Sequence, residues 1–159
     1  MRGFLKIAVG VAAVAGLATA STAGTATANI GVTATVGGAC TFTASTLTFG
    51  TYVTTANSDA NATVTPNCLS GTAWTIALGA GAGTGATAIT RKLTSGANTL
   101  DYKLYSDSAH TLNWGNTTDT VTGTGSGGTQ PQTVYGRIAS GLTPAAGSYT
   151  DTVIATITF

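Results

Sequence analysis

The sequence predicts an all-β domain, a sandwich with Greek-key connections. Apolar residues alternate with polar ones along most of the chain, which is the two-residue period of a half-buried strand. Thr and Val are frequent, and beyond the first segment no stretch repeats apolar residues at helical spacing. Turn residues separate the strands at intervals of about 8 to 12 residues, which is typical of a sandwich.

The predicted strands follow one another with short turns between them. The first carries Ile30, Val32, Ala34 and Val36 on one face and ends at Gly37-Gly38. A loop rich in Asn, Ser and Asp is expected at residues 57–61. The remaining predicted strands are residues 40–43, 46–53, 62–68, 74–78, 89–93, 100–105, 111–114, the region around Val121, 134–138 and 153–159.

The last predicted strand has an open edge. Val153, Ala155, Ile157 and Phe159 share one face, and no residues follow Phe159 to form a hairpin partner. Its final seven residues also lack the Lys, Pro or inward charge that normally protects an edge strand from pairing with another chain. We therefore expect the strand's neighbour to come from much earlier in the chain or from another molecule.

The first residues are typical of an export signal. Arg2 and Lys6 precede an apolar run at residues 7–18, which is too short to span a bilayer and so disfavours a membrane anchor. Cleavage patterns of the A-x-A type end at Ala20 and at Ala28, and we favour Ala28 because the alternating segment then begins the mature chain. The prediction is a signal peptide at residues 1–28 and one domain at residues 29–159.

Charge excludes one class of partner. Charged residues are 7% of the chain, and loss of Arg2 and Lys6 leaves four basic against five acidic residues. Such a domain has no basic surface for nucleic acid or acidic lipid. A surface made of Thr, Ser, Asn and Gly suits packed extracellular material.

Two cysteines, Cys40 and Cys68, occur in this exported chain, and we expect them to form a disulfide. Closing a loop of that length stabilises a fold by about 3 to 4 kcal/mol. Zinc is disfavoured because two cysteines and the lone His110 cannot provide four ligands. No metal or other cofactor is expected.

Catalytic motifs are weak. The run from Gly81 to Ala86 fits G-x-G-x-x-A, with Asp101 further on, but no amphipathic helix follows it to hold a pyrophosphate, so a loop between strands is the better interpretation. We interpret His110 as a surface-loop residue. The five aspartates are scattered, so a paired-carboxylate site would depend on chance proximity. We therefore expect no enzymatic activity.

The order of short motifs resembles the spore coat protein U family, which includes pilins of the archaic chaperone–usher pathway. The resemblance spans the mature chain, apart from an unusually Gly- and Ala-rich loop at residues 79–88. The motifs that carry it are Leu47-Thr48-Phe49-Gly50-Thr51-Tyr52, Val64-Thr65-Pro66-Asn67-Cys68, Leu100-Asp101-Tyr102-Lys103-Leu104-Tyr105-Ser106-Asp107, Trp114-Gly115, Val134-Tyr135-Gly136-Arg137-Ile138 and Gly147-Ser148-Tyr149-Thr150-Asp151-Thr152-Val153.

This resemblance implies an incomplete immunoglobulin-like sandwich that a donor strand from a neighbouring subunit completes. A periplasmic chaperone occupies the gap first, and an outer-membrane usher exchanges it for the next subunit's N-terminal strand. The donor would lie within residues 29–38, with Ile30, Val32, Ala34 and Val36 facing the groove. The acceptor edge would carry Val153, Ala155, Ile157 and Phe159.

The implied function is a structural subunit of a surface pilus, with a role in adhesion and biofilm formation. Its partners would be identical or homologous subunits, a chaperone and an usher, and the mature protein would pass through the periplasm to the cell surface. A spore-coat or other surface-layer protein is one alternative. A secreted carbohydrate-binding or hydrolytic sandwich is another.

Overall fold

The computed structural model describes residues 24–159. The predicted signal peptide, residues 1–28, therefore lies largely outside the described residues. Residues 24–35 belong to one unit of the chain, and Val36–Phe159 form a second, compact unit. Residues 24–35 are exposed and contain no helix or strand. Between residues 24 and 159 no helix is long and apolar enough to span a membrane.

Eight strands form two antiparallel sheets in the second unit. The five-stranded sheet has the order β1-β2-β7-β5-β4, and the three-stranded sheet has the order β6-β3-β8. In the five-stranded sheet β7 lies between β2 and β5, and in the three-stranded sheet β3 lies between β6 and β8, so these pairs join strands that are not consecutive in sequence, as in Greek-key connections. The strands are β1 Cys40–Ala44, β2 Ser58–Cys68, β3 Ala73–Leu78, β4 Arg91–Ser95, β5 Asn98–Tyr105, β6 Val121–Thr124, β7 Gln132–Ile138 and β8 Ala155–Thr158.

The core lies between the two sheets. Alternate residues of β2, β3, β5 and β7 point inward, as the two-residue apolar period predicts. Trp114 reaches this core from a loop, and its indole Nε1 donates to the carbonyl of Ile76 at 3.0 Å. The buried apolar residues are Ala62, Val64, Cys68, Trp74, Ile76, Leu78, Leu100, Tyr102, Leu104, Trp114, Val134 and Ile138.

The predicted disulfide is confirmed. Cys40 and Cys68 are directly opposite each other in the β1–β2 register, and their sulfurs are bonded at 2.03 Å. A structural disulfide is typical of proteins outside the reducing cytoplasm. The bond fixes the first strand of the sandwich to the longest one.

Several strand predictions are wrong, each for a physical reason. Residues 30–36 form no strand, because no partner within the described chain pairs with them. Residues 58–61, predicted as loop, extend β2, since Asp59 and its neighbours pair with β7. Residues 89–90 precede β4 instead of belonging to it. Residues 111–114 make only an isolated bridge, between Asn113 and Tyr105.

The segment 46–53 has strand-like side chains without a strand. Its backbone leaves β2 after Ser45, whose amide donates to the carbonyl of Thr63 at 2.9 Å. Leu47 and Phe49 still point inward and pack on Gly136, where an added Cβ would lie 2.8 Å from Leu47 Cδ1 and 2.9 Å from Phe49 Cζ. The predicted alternation is therefore right for the side chains and wrong for the hydrogen bonding.

Candidate functional site: an open groove between the sheets

The two sheets are not closed along one side. β1 pairs only with β2, and β8 pairs only with β3, so each is an edge strand of its sheet. Ile76 faces Ile157 across the β3–β8 pair, while the other edge of β8 has no strand beside it among the described residues. A groove lies between the segment that follows β1 and the segment that precedes β8.

The part of the groove nearer β8, here called the inner compartment, has a volume of about 350 Å³. One wall is formed by residues 44–47 with Phe49, and the other by residues 151–153 with Ala155. Its floor consists of core residues, namely Ala62, Val64, Leu78, Leu93, Tyr102, Leu104 and Val134. The inner compartment therefore reaches down to side chains of the hydrophobic core.

The second part, here called the outer compartment, is wider, at about 880 Å³. Residues 46–52 line one wall and residues 144–151 the other, above Leu93, Leu100 and Ile138. The two compartments adjoin, since they share Leu47, Phe49 and Asp151 among their lining residues. Together they form a groove bounded by the segment after β1 and the segment before β8.

Two of the four predicted acceptor residues line this groove. Val153 and Ala155 line the inner compartment, and Ile157 packs half-buried against the core. Phe159 is 57% exposed and lines neither compartment. Sequence reasoning missed the opposite wall, formed by Leu47 and Phe49, although their alternation was visible in the predicted strand 46–53.

The predicted donor residues are fully available for binding. Ile30 and Val32 are each 86% exposed and Val36 is 83% exposed, and Ala34 is also exposed. Burial of each large aliphatic side chain in this segment would be favourable by about 1.5 to 3 kcal/mol. The described chain thus has an open groove and an uncovered apolar segment.

A polar network crosses the groove floor. Tyr102 of β5 donates its hydroxyl to Asp151 Oδ2 at 2.7 Å, and the amides of Ala82 and Thr152 donate to Oδ1, each at 2.7 Å. Burial, and then the hydrogen bond to Asp151, raises the pKa of Tyr102 well above its ordinary value. The network therefore keeps Tyr102 as a neutral donor.

Beside it lies Arg91, which is completely buried. Its Nε donates to the carbonyl of Gly79 at 2.7 Å, and its Nη2 donates to the carbonyls of Leu78 and Trp114 at 2.9 and 2.8 Å. Burial lowers the pKa of Arg91, while Tyr102 and Asp151 raise it by smaller amounts. The guanidinium joins β4 of one sheet to the end of β3 in the other.

The interpretation of His110 as a surface residue is wrong. Its side chain is 8% exposed and packs edge-on against Tyr105 and Tyr135, with ring centroids 5.2 and 6.1 Å away. Asp59 Oδ1 lies 3.9 Å from its Nε2 and is held by Arg137 at 2.6 Å. Within residues 24–159 no three His, Cys, Asp or Glu side chains gather closely enough to hold a metal ion.

The fold and sequence place the chain in a known class: it belongs to the Spore Coat Protein U domain family, which matches residues 26–156. The resemblance seen in the motifs is confirmed. Protein U of Myxococcus xanthus is 38% identical over 176 aligned residues, covering 98% of each chain.

One solved structure extends the comparison of folds. It is the CsuC–CsuE chaperone–tip adhesion subunit pre-assembly complex from archaic chaperone–usher Csu pili of Acinetobacter baumannii. The TM-score is 0.61 at 19% identity, over 79% of the present chain and 41% of the length of that chain. The likeness confirms the predicted immunoglobulin-like β-sandwich fold.

Proposed function

We propose that this protein is a structural subunit of a surface fibre, joined to its neighbours by strand exchange. In this proposal residues 30–36 of one subunit enter the groove of the next, between the segment 44–54 and the segment 151–159. The protein binds other copies or homologues of itself and catalyses no reaction. A role in adhesion and biofilm formation follows from display of such fibres at the cell surface.

The observation that carries the proposal is the open apolar groove. Its inner compartment, of about 350 Å³, has Val64, Leu104 and Val134 in its floor. Leu47 and Phe49 line one of its walls and Val153 lines the other. The free edge of β8 lies beside it, with no strand paired to that edge among the described residues. An inserted strand would cover the floor with its side chains and would offer its main chain to the bare edge of β8.

The exposed segment has the chemistry that such a groove requires. Burying Ile30, Val32 and Val36 contributes about 5 to 8 kcal/mol before costs, at about 1.5 to 3 kcal/mol for each side chain. Ordering the segment offsets much of this gain, because each residue loses backbone freedom. Main-chain hydrogen bonds along β8 therefore have to supply the remaining affinity, which is the usual basis of strand addition.

Two further partners belong to the proposal. An unfilled apolar groove would promote aggregation during export, so a periplasmic chaperone is expected to occupy it before assembly, and an outer-membrane usher to organise the exchange. The likeness to a subunit solved with its chaperone supports this route. At 19% identity the likeness is evidence for the fold only. The chaperone and the usher are therefore proposed partners.

The test compares two substitutions on opposite faces of the donor segment. Val32→Asp places an unpaired carboxylate in the apolar groove, a cost that blocks joining while the sandwich itself stays intact. Thr33→Asp is the matched control, because position 33 faces away from the groove. We expect Val32→Asp subunits to fold and to bind chaperone, yet to be absent as donors from heat-resistant polymer ladders on gels. Thr33→Asp subunits should polymerise. Normal polymerisation of Val32→Asp would contradict the proposal.

A second candidate is a spore-coat or surface-layer protein. The 38% identity to Protein U over nearly the whole of both chains favours it. The two candidates share the strand joint and differ in the assembly that it builds. Electron microscopy of cells and spores with an antibody against the chain separates them, since label on fibres supports the first and label confined to a continuous coat supports the second.

A further inference from the structure

Residues 150–154 carry the chain from one sheet to the other. Thr150 pairs with Thr94 of β4, with N–H···O distances of 2.8 and 3.0 Å, so it is hydrogen-bonded to the five-stranded sheet. The carbonyl of Ile154 accepts from the amide of Gly79 at 2.9 Å, just beyond β3 in the three-stranded sheet. One wall of the groove is therefore made by this crossover, residues 150–154, and the bonds that fix the crossover also fix the position of that wall.

Asp151 adds side-chain hydrogen bonds to this crossover, between the backbone hydrogen bonds made at Thr150 and Ile154. Its carboxylate receives one hydrogen bond from the five-stranded sheet, through Tyr102, and one from the β3–β4 loop, through Ala82. The Thr152 amide, in the crossover itself, gives the third. Asp151 forms no salt bridge with any residue in the range 24–159. Three short bonds to one carboxylate are a strong and directional attachment.

The glycine-rich loop is shaped around the same carboxylate. Gly81 has a φ of 87°, and a Cβ built on it would lie 2.8 Å from Asp151 Cγ and closer still to Oδ2. Only glycine meets both conditions, the left-handed backbone and the lack of space. The first glycine of the G-x-G-x-x-A pattern, Gly81, is therefore explained by its contact with the Asp151 carboxylate and not by nucleotide binding.

We propose that Asp151 is a positioning residue for strand exchange: its bonds to Tyr102 and Ala82 keep the crossover apart from the opposite wall, so that the groove is open before a donor arrives. This inference rests on the proposed function. Without the carboxylate, residues 151–153, which lie between the backbone hydrogen bonds of Thr150 and Ile154, can settle towards Leu47 and Phe49 on the opposite wall, and a donor then has to reopen the groove. Asp151 acts through the backbone it positions.

The experiment uses residues 29–159 carrying Val32→Asp, which blocks the chain's own donor segment, and a labelled synthetic peptide of residues 29–38. Peptide affinity is measured by fluorescence anisotropy, and the urea unfolding midpoint is measured beside it. Asp151→Asn removes the charge in the same shape, and Tyr102→Phe removes one donor hydroxyl. Asp101→Asn is the matched control, because Asp101 lies in the same strand as Tyr102 and pairs with Lys92 at the surface.

We expect Asp151→Asn to weaken peptide binding by about tenfold, Tyr102→Phe to weaken it by a smaller factor, and the two together to do no more than Asp151→Asn alone. Asp101→Asn should bind like the parent. Where Asp151→Asn does not fold, Tyr102→Phe decides the question.

Three results would count against the inference, and they are distinguishable. Parent protein that binds the peptide, with Asp151→Asn binding equally well, overturns the positioning role alone. A lower unfolding midpoint with unchanged peptide affinity does the same, since Asp151 is then only structural. A parent that does not bind the peptide overturns the proposed function and this inference together.

Discussion

Replacing Arg91 with Met tests how far a buried cation holds the two sheets together. The side chain is completely buried and donates to the carbonyls of Leu78, Gly79 and Trp114. Its Nη1 has no hydrogen-bond partner in the described structure. Methionine is an unbranched, uncharged side chain that replaces the aliphatic part of arginine, so the substitution removes the hydrogen bonds and the charge while keeping most of the apolar contacts.

Two opposing quantities set the result. Three hydrogen bonds from a charged donor are worth about 1.5 to 3 kcal/mol each, or about 5 to 9 kcal/mol together. Removing the buried charge recovers a desolvation cost of several kcal/mol. Because the carbonyls of Leu78 and Trp114 would stay buried, and that of Gly79 partly buried, without their donor, the hydrogen bonds outweigh the charge. We expect Arg91→Met to lower the free energy of unfolding by about 3 to 5 kcal/mol, a large part of the stability of a single domain.

Urea unfolding of residues 29–159, followed by tryptophan fluorescence in the monomeric Val32→Asp background, measures this loss. Trp114 is a sensitive reporter, because its own carbonyl is one of the three acceptors. Lys103→Met serves as the control, since it removes an exposed cation from β5. A stability within about 1 kcal/mol of the parent would refute the reasoning and would mean that the desolvation cost cancels the hydrogen bonds.

Three further predictions concern the acceptor strand, the disulfide and pH. Ile157→Asp places a carboxylate against Ile76 in the core beside the groove, so we expect loss of folded subunit and of chaperone co-purification; normal chaperone binding would contradict this. Cys68→Ser opens the Cys40 disulfide and should lower the free energy of unfolding by about 3 to 4 kcal/mol in urea, whereas an unchanged midpoint would show that the bond is not stabilising. The hydrogen bond from Arg137 holds the pKa of Asp59 below its ordinary value, so the stability it adds is present near neutral pH and is lost as pH falls below about 4. Because Asp59 is 43% exposed, this loss should be under about 1 kcal/mol, and Arg137→Leu should abolish it in unfolding midpoints measured from pH 3 to 6.

The sequence predicted best where a strand is buried on one face. In β3, Trp74, Ile76 and Leu78 alternate with exposed or half-buried residues, and the strand ends where the alternation ends. The pairing of Cys40 with Cys68 also followed from the sequence, because an exported chain with two cysteines offers a single connectivity. Local periodicity and covalent chemistry need no knowledge of distant neighbours.

What the sequence did not reveal depends on residues far apart in the chain. The hydrogen bond between Tyr102 and Asp151 joins residues 49 positions apart, and nothing local marks either as a partner of the other. In the sequence nothing distinguishes Arg91 from an ordinary cation at the start of a strand. Only the fold places three carbonyls around its guanidinium. Residues 58–61 have loop composition, yet pairing with β7 overrides it.

The position of the disulfide has a mechanical consequence for any fibre joined through the N-terminal segment. Tension on that segment arrives at Cys40, the first residue of β1, where it would otherwise peel β1 from β2 one hydrogen bond at a time. The Cys40–Cys68 bond passes the load covalently from the first residue of β1 to the last residue of β2, so the β1–β2 hydrogen bonds do not have to carry it. From β2 the load enters a pairing with β7 that runs from Ser58 to Val64 in the interior of the sheet. A pulled subunit would therefore yield at the strand joint before its own first strand unzips.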